Sequence, residues 1–226
     1  MREIILDTET TGLDPSAGHR IVEVGCIELL NHLPTGEVFH RYINPERDMP
    51  AEAYAVHGLS EEFLRGHPTF AGIIDDLIEF LGDSRLIIHN ADFDMKFLNW
   101  EFRLLDRPVM PKDRAIDTVA MARRRFPGAP ASLDALCRRF AIDNSAREKH
   151  GALLDAELLA EVYLQLIGGR EPGLALVGST AEAAITVQPV ARPGRPARPH
   201  APSAEEEAAH GQFLKSLGPA PIWLRE

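Results

Sequence analysis

Ile4-Ile5-Leu6-Asp7-Thr8-Glu9-Thr10-Thr11-Gly12 is the stretch that decides the fold. Its apolar run reads as a short buried strand over residues 2–7. Two acids spaced i and i+2 close the strand. A loop over residues 8–20 follows, with Gly12, Pro15 and Gly18. Side chains alternate faces along a strand, so Asp7 and Glu9 point the same way. Two like charges at the end of an apolar strand are unfavourable unless a cation or a shared proton relieves them. One reading is that the pair holds a metal ion. The other is a solvated strand end running into a Thr-Gly turn. Nothing within the stretch itself separates the two.

Working outward, Ile21-Val22-Glu23-Val24-Gly25-Cys26-Ile27-Glu28-Leu29 is β-branched and partly alternating, which predicts a second strand. A Pro34-Thr35-Gly36 turn leads to a third strand over Glu37–Ile43, so the first three strands form a meander. Residues 44–68 read as irregular, apart from a short helix at Glu61–Leu64 capped by Ser60. Thr69 caps a longer helix through Leu81, with Phe70, Ile73, Ile74, Leu77, Ile78 and Leu81 at helical spacing. Leu86-Ile87-Ile88 is a fourth strand, buried on both faces, and a helix follows to about Leu105. Arg114–Asp117 makes a fifth strand, and Asp117-Thr118 cap a helix to Phe126. Ser132–Phe140 and Gly151–Ile167 are the remaining helices of this part. A meander first and α/β crossovers later predict an α/β fold, a mixed sheet covered on both faces.

The chain has 226 residues, is 45% hydrophobic and carries a formal net charge of −10. That length supports one domain with a substantial core and some extra chain. The charge argues against capture of nucleic acid by a basic surface. An acidic enzyme working on a polyanion needs bound cations, a tether to a partner that holds the substrate, or both. Cys26 and Cys137 lie in apolar periodic segments and read as buried thiols of a reduced, cytoplasmic protein. The first strand begins at once, without a signal-peptide pattern, and no stretch is apolar over the ~18 residues of a membrane span.

Composition changes after Gly168-Gly169. Residues 178–203 contain five prolines and no Phe, Trp or Tyr, the composition of an extended linker. Residues 204–226 regain apolar side chains, including Phe213, Leu217 and Trp223. A segment that short does not fold alone, so docking on another protein is expected, with folding back on its own domain as the alternative. The organisation is a domain over 1–169, a short peptide over 170–177, a linker over 178–203 and a docking tail over 204–226.

Later acids stand in costly places. Asp155 falls in register with the apolar face of the last helix of the domain, Leu158, Leu159, Val162 and Leu166, with no Lys or Arg one turn away. His150 precedes it by five residues, at the start of the same helix. Asp94 follows the fourth strand at a helix start, where Asp92 is the expected N-cap and Phe93 packs inward. If the first and fourth strands are neighbours, Asp94 comes near Asp7 and Glu9. Four carboxylates and one His make an oxygen-rich set suited to Mg²⁺ or Mn²⁺. Such sets support phosphodiester cleavage with two ions about 3.5–4 Å apart. Asp117 is left over as a helix cap.

Asp7-Thr8-Glu9-Thr10-Thr11-Gly12, His89-Asn90-Ala91-Asp92-Phe93-Asp94 and His150-Gly151-Ala152-Leu153-Leu154-Asp155 together resemble, in order and separation, the three motifs of the DEDDh 3′–5′ exonuclease family. The likeness extends over residues 1–168. Pro127-Gly128, Ser132–Cys137 and Ile142–Ser145 make it most similar to the proofreading branch, the epsilon subunits of bacterial DNA polymerase III. The resemblance implies a ribonuclease H-like fold with a five-stranded mixed sheet. It implies two divalent ions, Mg²⁺ or Mn²⁺. Asp7 would bridge both, Glu9 and Asp155 would bind the ion on the nucleophile side, and Asp94 would hold the other. His150 would be the general base, and the product a nucleoside 5′-monophosphate. Glu52 and His57 match positions that hold the terminal nucleotide, and Leu13 and Phe93 are candidate wedging or stacking residues.

Beyond the domain, Glu171-Pro172-Gly173-Leu174-Ala175-Leu176 resembles a peptide that binds the beta sliding clamp, with Glu171 where that motif carries Gln. The apolar end matches, in position, the segment that docks on the polymerase catalytic (alpha) subunit. Its partners would then be that subunit, the clamp and the single-stranded 3′ end of DNA. A tether beside the primer end would also answer the charge problem, since a linker supplies high effective concentration. Two other functions fit parts of the sequence. A stand-alone exonuclease trimming RNA or oligonucleotides has no need of the linker and tail. A catalytically silent scaffold of a polymerase complex has no need of the acids.

Overall fold

The computed structural model describes residues 1–145, 149–169 and 201–216, which fall into two units: the first holds 1–145 and 149–169, the second 201–216. Five strands build the first unit: β1 (Arg2–Thr10), β2 (Ile21–Leu30), β3 (Leu33–Tyr42), β4 (Arg85–Ile88) and β5 (Ala115–Asp117). Their order is β3-β2-β1-β4-β5. The first three pair antiparallel, while β4 runs parallel to β1 and β5 parallel to β4. This is the expected meander followed by crossovers. It places β1 at the centre, between β2 and β4.

Alternation along β1 sorts the core into two layers. Ile4 and Leu6 face one layer, with helices α3 (Ile74–Leu81) and α4 (Ala91–Leu104). Ile5 faces the other with Ile27, Leu29 and Ile87, under α6 (Leu133–Phe140) and α7 (Ala152–Leu166). Between β5 and α6 runs α5 (Thr118–Arg125), whose Ala122 joins the second layer. Both cysteines are buried, Cys26 in the first layer and Cys137 in the second. Among the described residues no helix is long and apolar enough to cross a membrane.

The structure corrects several local expectations. β1 does not stop at Asp7. It stays paired with β2 through Thr8↔Val24 and Glu9↔Glu23, and shifts register only between Glu9 and Thr10. The two acids therefore lie inside a paired strand, not at its loose end. The β2–β3 turn is Asn31-His32, not Pro34-Thr35-Gly36. Both residues have positive φ, 51° and 68°, the backbone of a tight primed turn. Pro34 then lies in β3, which tolerates it as an edge strand.

Residues 44–68 also contain an unexpected helix, α1 (Ala51–His57). It starts after Pro50 and ends at Gly58, whose φ is 74°. That asymmetry, with three alanines inside, was a legible helix signal. As expected, Ser60 caps α2 (Glu61–Leu64) by accepting from the Phe63 N–H. Thr69 makes no side-chain cap: a 3₁₀ turn over Phe70–Gly72 precedes α3. Asp92 is not the N-cap of α4. Asn90 takes that place at φ 68°, and Asp92 is exposed in the first turn.

In the second unit, α8 (Ala204–Ser216) opens with a capping box. Ser203 Oγ accepts from the Glu206 N–H while the Glu206 carboxylate accepts from the Ser203 N–H. α8 buries none of its residues, and Phe213 stands 57% exposed. Glu171, Leu174 and Leu176, nearly all of the 178–203 linker, and Leu217 and Trp223 of the tail lie outside the described residues.

Candidate active site

Asp7 and Glu9 keep the parity of Ile5 and so face the layer that holds α7. Opposite Asp7 on β2 is Gly25. A Cβ added at Gly25 would lie 2.4 Å from the Ala152 carbonyl carbon, so the first turn of α7 rests directly on the β2 backbone. That contact brings Asp155, one turn into α7, to the acids of β1. Ligand atoms of Glu9, His150 and Asp155 all lie within 4.8 Å of one another. The Asp155 side chain is 4% exposed and that of His150 49%. His150 Nδ1 is 3.2 Å from Asp155 Oδ2. A carboxylate only accepts, so Nδ1 carries the proton in that contact and Nε2 the lone pair of the neutral ring.

Asp94 arrives from the other layer. It lies in the first turn of α4, 3% exposed, and accepts from the Thr8 hydroxyl at 2.7 Å. The start of α4 is fixed by Asp117, whose Oδ1 accepts from the Asn90 N–H at 3.1 Å and the Val119 N–H at 2.9 Å. Asp117 is the structural cap the sequence implied. A bidentate bond from Arg20 to Glu101, at 2.7 and 2.8 Å, joins the end of the loop after β1 to the same helix.

The electrostatics carry the mark of crowding. Loss of hydration, then the charges of Asp94, Glu9, Asp155 and Glu23, hold the Asp7 carboxyl well above the usual carboxylate range. Burial pushes Asp94 up to about 7, against the opposing effect of the Thr8 hydrogen bond. Four carboxylates so placed fit a divalent cation, which would relieve their mutual repulsion.

A cavity of about 500 Å³ adjoins this cluster. Its lining includes Glu9, Leu13, Glu52, Val56, His57 and Phe93. All four residues expected to meet the terminal nucleotide are therefore on one cavity. Leu13 is 81% exposed. Phe93 is partly buried and packs on the Phe97 ring at 5.0 Å between centroids, the inward packing expected of it. His57 is not a surface-loop residue: it ends α1 and is 6% exposed. Its Nδ1 accepts from the Leu59 N–H at 3.0 Å, which leaves the proton of the neutral ring on Nε2. Nε2 makes no hydrogen bond of good geometry, though the Thr10 backbone lies within its reach. Burial lowers the His57 pKa, so the ring is neutral at pH 7.

The sequence reading missed three residues here. Gly25 was detectable as a lone glycine inside a strand pattern, a sign of close backbone approach. Thr8 became significant only once β1 was known to continue past Asp7. Glu23 is 3% exposed, pairs across the strands with Glu9 and bonds to His40 Nε2 at 2.7 Å. No local pattern set it apart from an ordinary alternating strand residue.

Residues 4–163 match the family model RNase_T, described as Exonuclease. DNA polymerase III subunit epsilon of Rickettsia felis is 53% identical over 222 residues, spanning 96% of this chain and 97% of the relative. The subunit of the same name in Escherichia coli strain K12 is 44% identical, over 98% of this chain and 97% of its own. Among solved structures, the nuclease domain of 3′hExo, a DEDDh family member bound to rAMP, superposes with a TM-score of 0.63 at 21% identity. That match covers 74% of this chain and 91% of the other. Exonuclease X in complex with 5′ overhanging duplex DNA gives 0.55 at 25% identity, over 73% and 90%.

Proposed function

This chain belongs to the exonuclease family and, within it, to the epsilon subunits of DNA polymerase III, and from that premise we propose how its site removes a 3′-terminal nucleotide. It is a 3′–5′ exonuclease that proofreads replication. The observation that carries the mechanism is the meeting of Glu9, Asp155 and His150 within 4.8 Å beside Asp7 and Asp94.

Divalent metal ions are the cofactor the family implies, and the all-oxygen carboxylate set favours Mg²⁺ or Mn²⁺. Asp7 would contact both ions, Glu9 and Asp155 the one beside His150, and Asp94 the other. When bound, the pair supplies charge stabilisation for the attacking and leaving oxygens. The chain supplies the rest. His150 Nε2 takes a proton from the attacking water. Oxygen bonds to phosphorus as the P–O3′ bond breaks, and the departing O3′ takes a proton from solvent, leaving a 3′-hydroxyl and a nucleoside 5′-monophosphate. A positioned imidazole is a common general base for such a step. His57 and Glu52, both on the cavity wall, would hold the terminal nucleotide. Leu13 and Phe93 would wedge or stack against its base. Nothing in this set reads base identity. Selection of mispaired ends then comes from fraying, because an unpaired end reaches the cavity more often.

Association with the DNA polymerase III complex follows from the family. We assign the catalytic (alpha) subunit to the tail, through Phe213, Leu217 and Trp223. The sliding clamp goes to Glu171, Leu174 and Leu176, with the linker giving the domain its reach. Work at the nucleoid in the cytoplasm accords with that role. The test is digestion of 5′-labelled primers with paired DNA, mispaired DNA and RNA 3′ ends, with Mg²⁺, Mn²⁺ or chelator. Faster, metal-dependent loss of mispaired DNA ends is expected. Equal rates on all three ends would favour a trimming enzyme, and no digestion a silent scaffold. Pull-down of the alpha subunit should fail once residues 204–226 are removed.

A further inference from the structure

The general base of the proposed site lies on neither a strand nor a helix. His150 precedes α7, half its side chain is exposed, and its place depends on what holds residues 149–150. Beside the Asp155 contact from α7, two contacts reach this segment from α1. The His150 N–H donates to the Val56 carbonyl at 3.2 Å. The Lys149 ammonium lies 5.1 Å from the centroid of the Tyr54 ring, within cation–π range. The Lys149 stem crosses the end of α1 at Gly58, where an added Cβ would come 2.7 Å from its Cδ. Gly58 thus both ends α1 at positive φ and leaves room for the lysine.

The same helix forms a wall of the cavity. Glu52, Ala53, Val56 and His57 line it, while Tyr54 is 45% exposed and turned to Lys149. Val56 serves both sides: it lines the cavity, and its carbonyl accepts from His150. We infer that α1 is a positioning element for the general base, and that the Tyr54–Lys149 latch couples a filled nucleotide cavity to the placement of His150. This rests on the reading of His150 as base and of the cavity as the nucleotide site. In thermodynamic terms, a nucleotide that orders α1 makes the ordered base cheaper to hold, and the coupling acts equally in reverse.

The experiment uses the full chain with Tyr54→Ala, Tyr54→Phe, Lys149→Met, Lys149→Arg and, in parallel, His150→Ala. Four readouts are needed: kcat and KM on a single-stranded oligodeoxynucleotide, Mn²⁺ binding by calorimetry, Tm, and the His150 ring resonances with and without deoxyadenosine 5′-monophosphate. Tyr54→Ala and Lys149→Met should lower kcat about two- to fivefold, the scale of one exposed cation–π contact, with Mn²⁺ affinity unchanged. Tyr54→Phe and Lys149→Arg, which keep the contact, should keep kcat. The nucleotide should shift and sharpen the His150 resonances in the wild type and do neither in Tyr54→Ala. Wild-type kcat in both latch variants would overturn the proposal. So would a rate loss accompanied by an equal loss of Mn²⁺ affinity or by a lowered Tm, which marks a merely structural role. Full activity of His150→Ala would remove the base assignment itself, a result recognisably different from failure of the latch.

Discussion

β1 and the segment at residues 149–150 supply the two halves of one site, and they are built in opposite ways. β1 is paired on both edges, to β2 and β4, and its apolar side chains enter both core layers. Asp7 and Glu9 are thereby held close despite their charge. Residues 149 and 150 lie in neither a strand nor a helix, and their anchors include a carbonyl and a ring on α1 and the Asp155 carboxylate of α7. Carboxylates that repel each other need a rigid frame, because any slack would let them move apart before a cation arrives. A base that must accept a proton and later release it tolerates, and can use, a softer mount.

Breaking the soft half should cost rate and nothing else. His150→Ala is expected to lower kcat about 10²–10⁴-fold, the usual range for a general base, while calorimetric Mn²⁺ binding stays near wild type. Loss of metal affinity with the rate would mean that His150 belongs to the rigid half.

Gly25→Ala strikes where the halves meet. The added methyl must displace the first turn of α7, and with it Asp155 and His150, since the neighbouring atoms are backbone. Overpacking of this kind costs about 1–3 kcal/mol of stability. A melt with chelator should show that loss, and metal activation should need a higher concentration. An unchanged activation curve would mean that α7 can yield without moving Asp155.

The smallest effect concerns the rigid half alone. The folded-state pKa of Asp94 is raised to about 7, above its unfolded value near 4. Below pH 4 both states hold the proton and nothing is lost. Between about pH 4 and 7 the unfolded chain gives it up while the folded one retains it, so this carboxyl destabilises the metal-free protein as pH rises. Asp94→Asn should remove that part of the slope. Tm measured in chelator from pH 4.5 to 7.5 should fall less for the variant than for the wild type. Identical slopes would show that burial of Asp94 carries no such penalty.

Much of this was legible in the chain. Alternation in β1, the helical register of Asp155 and the glycine and proline breaks located the strands, most helices and the acids. What escaped depends on contacts distant in sequence. The extension of β1 through Thr10 comes from pairing with β2, and a Thr-rich stretch before Gly12 looks locally like a loop. Asp92 looked the better cap because its residue type suits helix starts. The choice of Asn90 instead reflects its left-handed backbone and the Asp117 bond reaching over from β5. The partnership of α1 with residues 149–150 has no sequence signature at all, since nearly a hundred residues separate Val56 from His150. Nor does Glu23, whose burial beside Glu9 is a matter of strand register.

The central claim is that the crowded acids of β1, α4 and α7 form a divalent-metal site. Titration calorimetry of Mn²⁺ into the metal-free full chain, beside an Asp7→Ala, Glu9→Ala double variant of the same fold, tests it most directly. The expected result is two ions bound by the wild type and no measurable binding by the double variant, which should also be the more stable of the two in chelator. Equal binding by both proteins would contradict it.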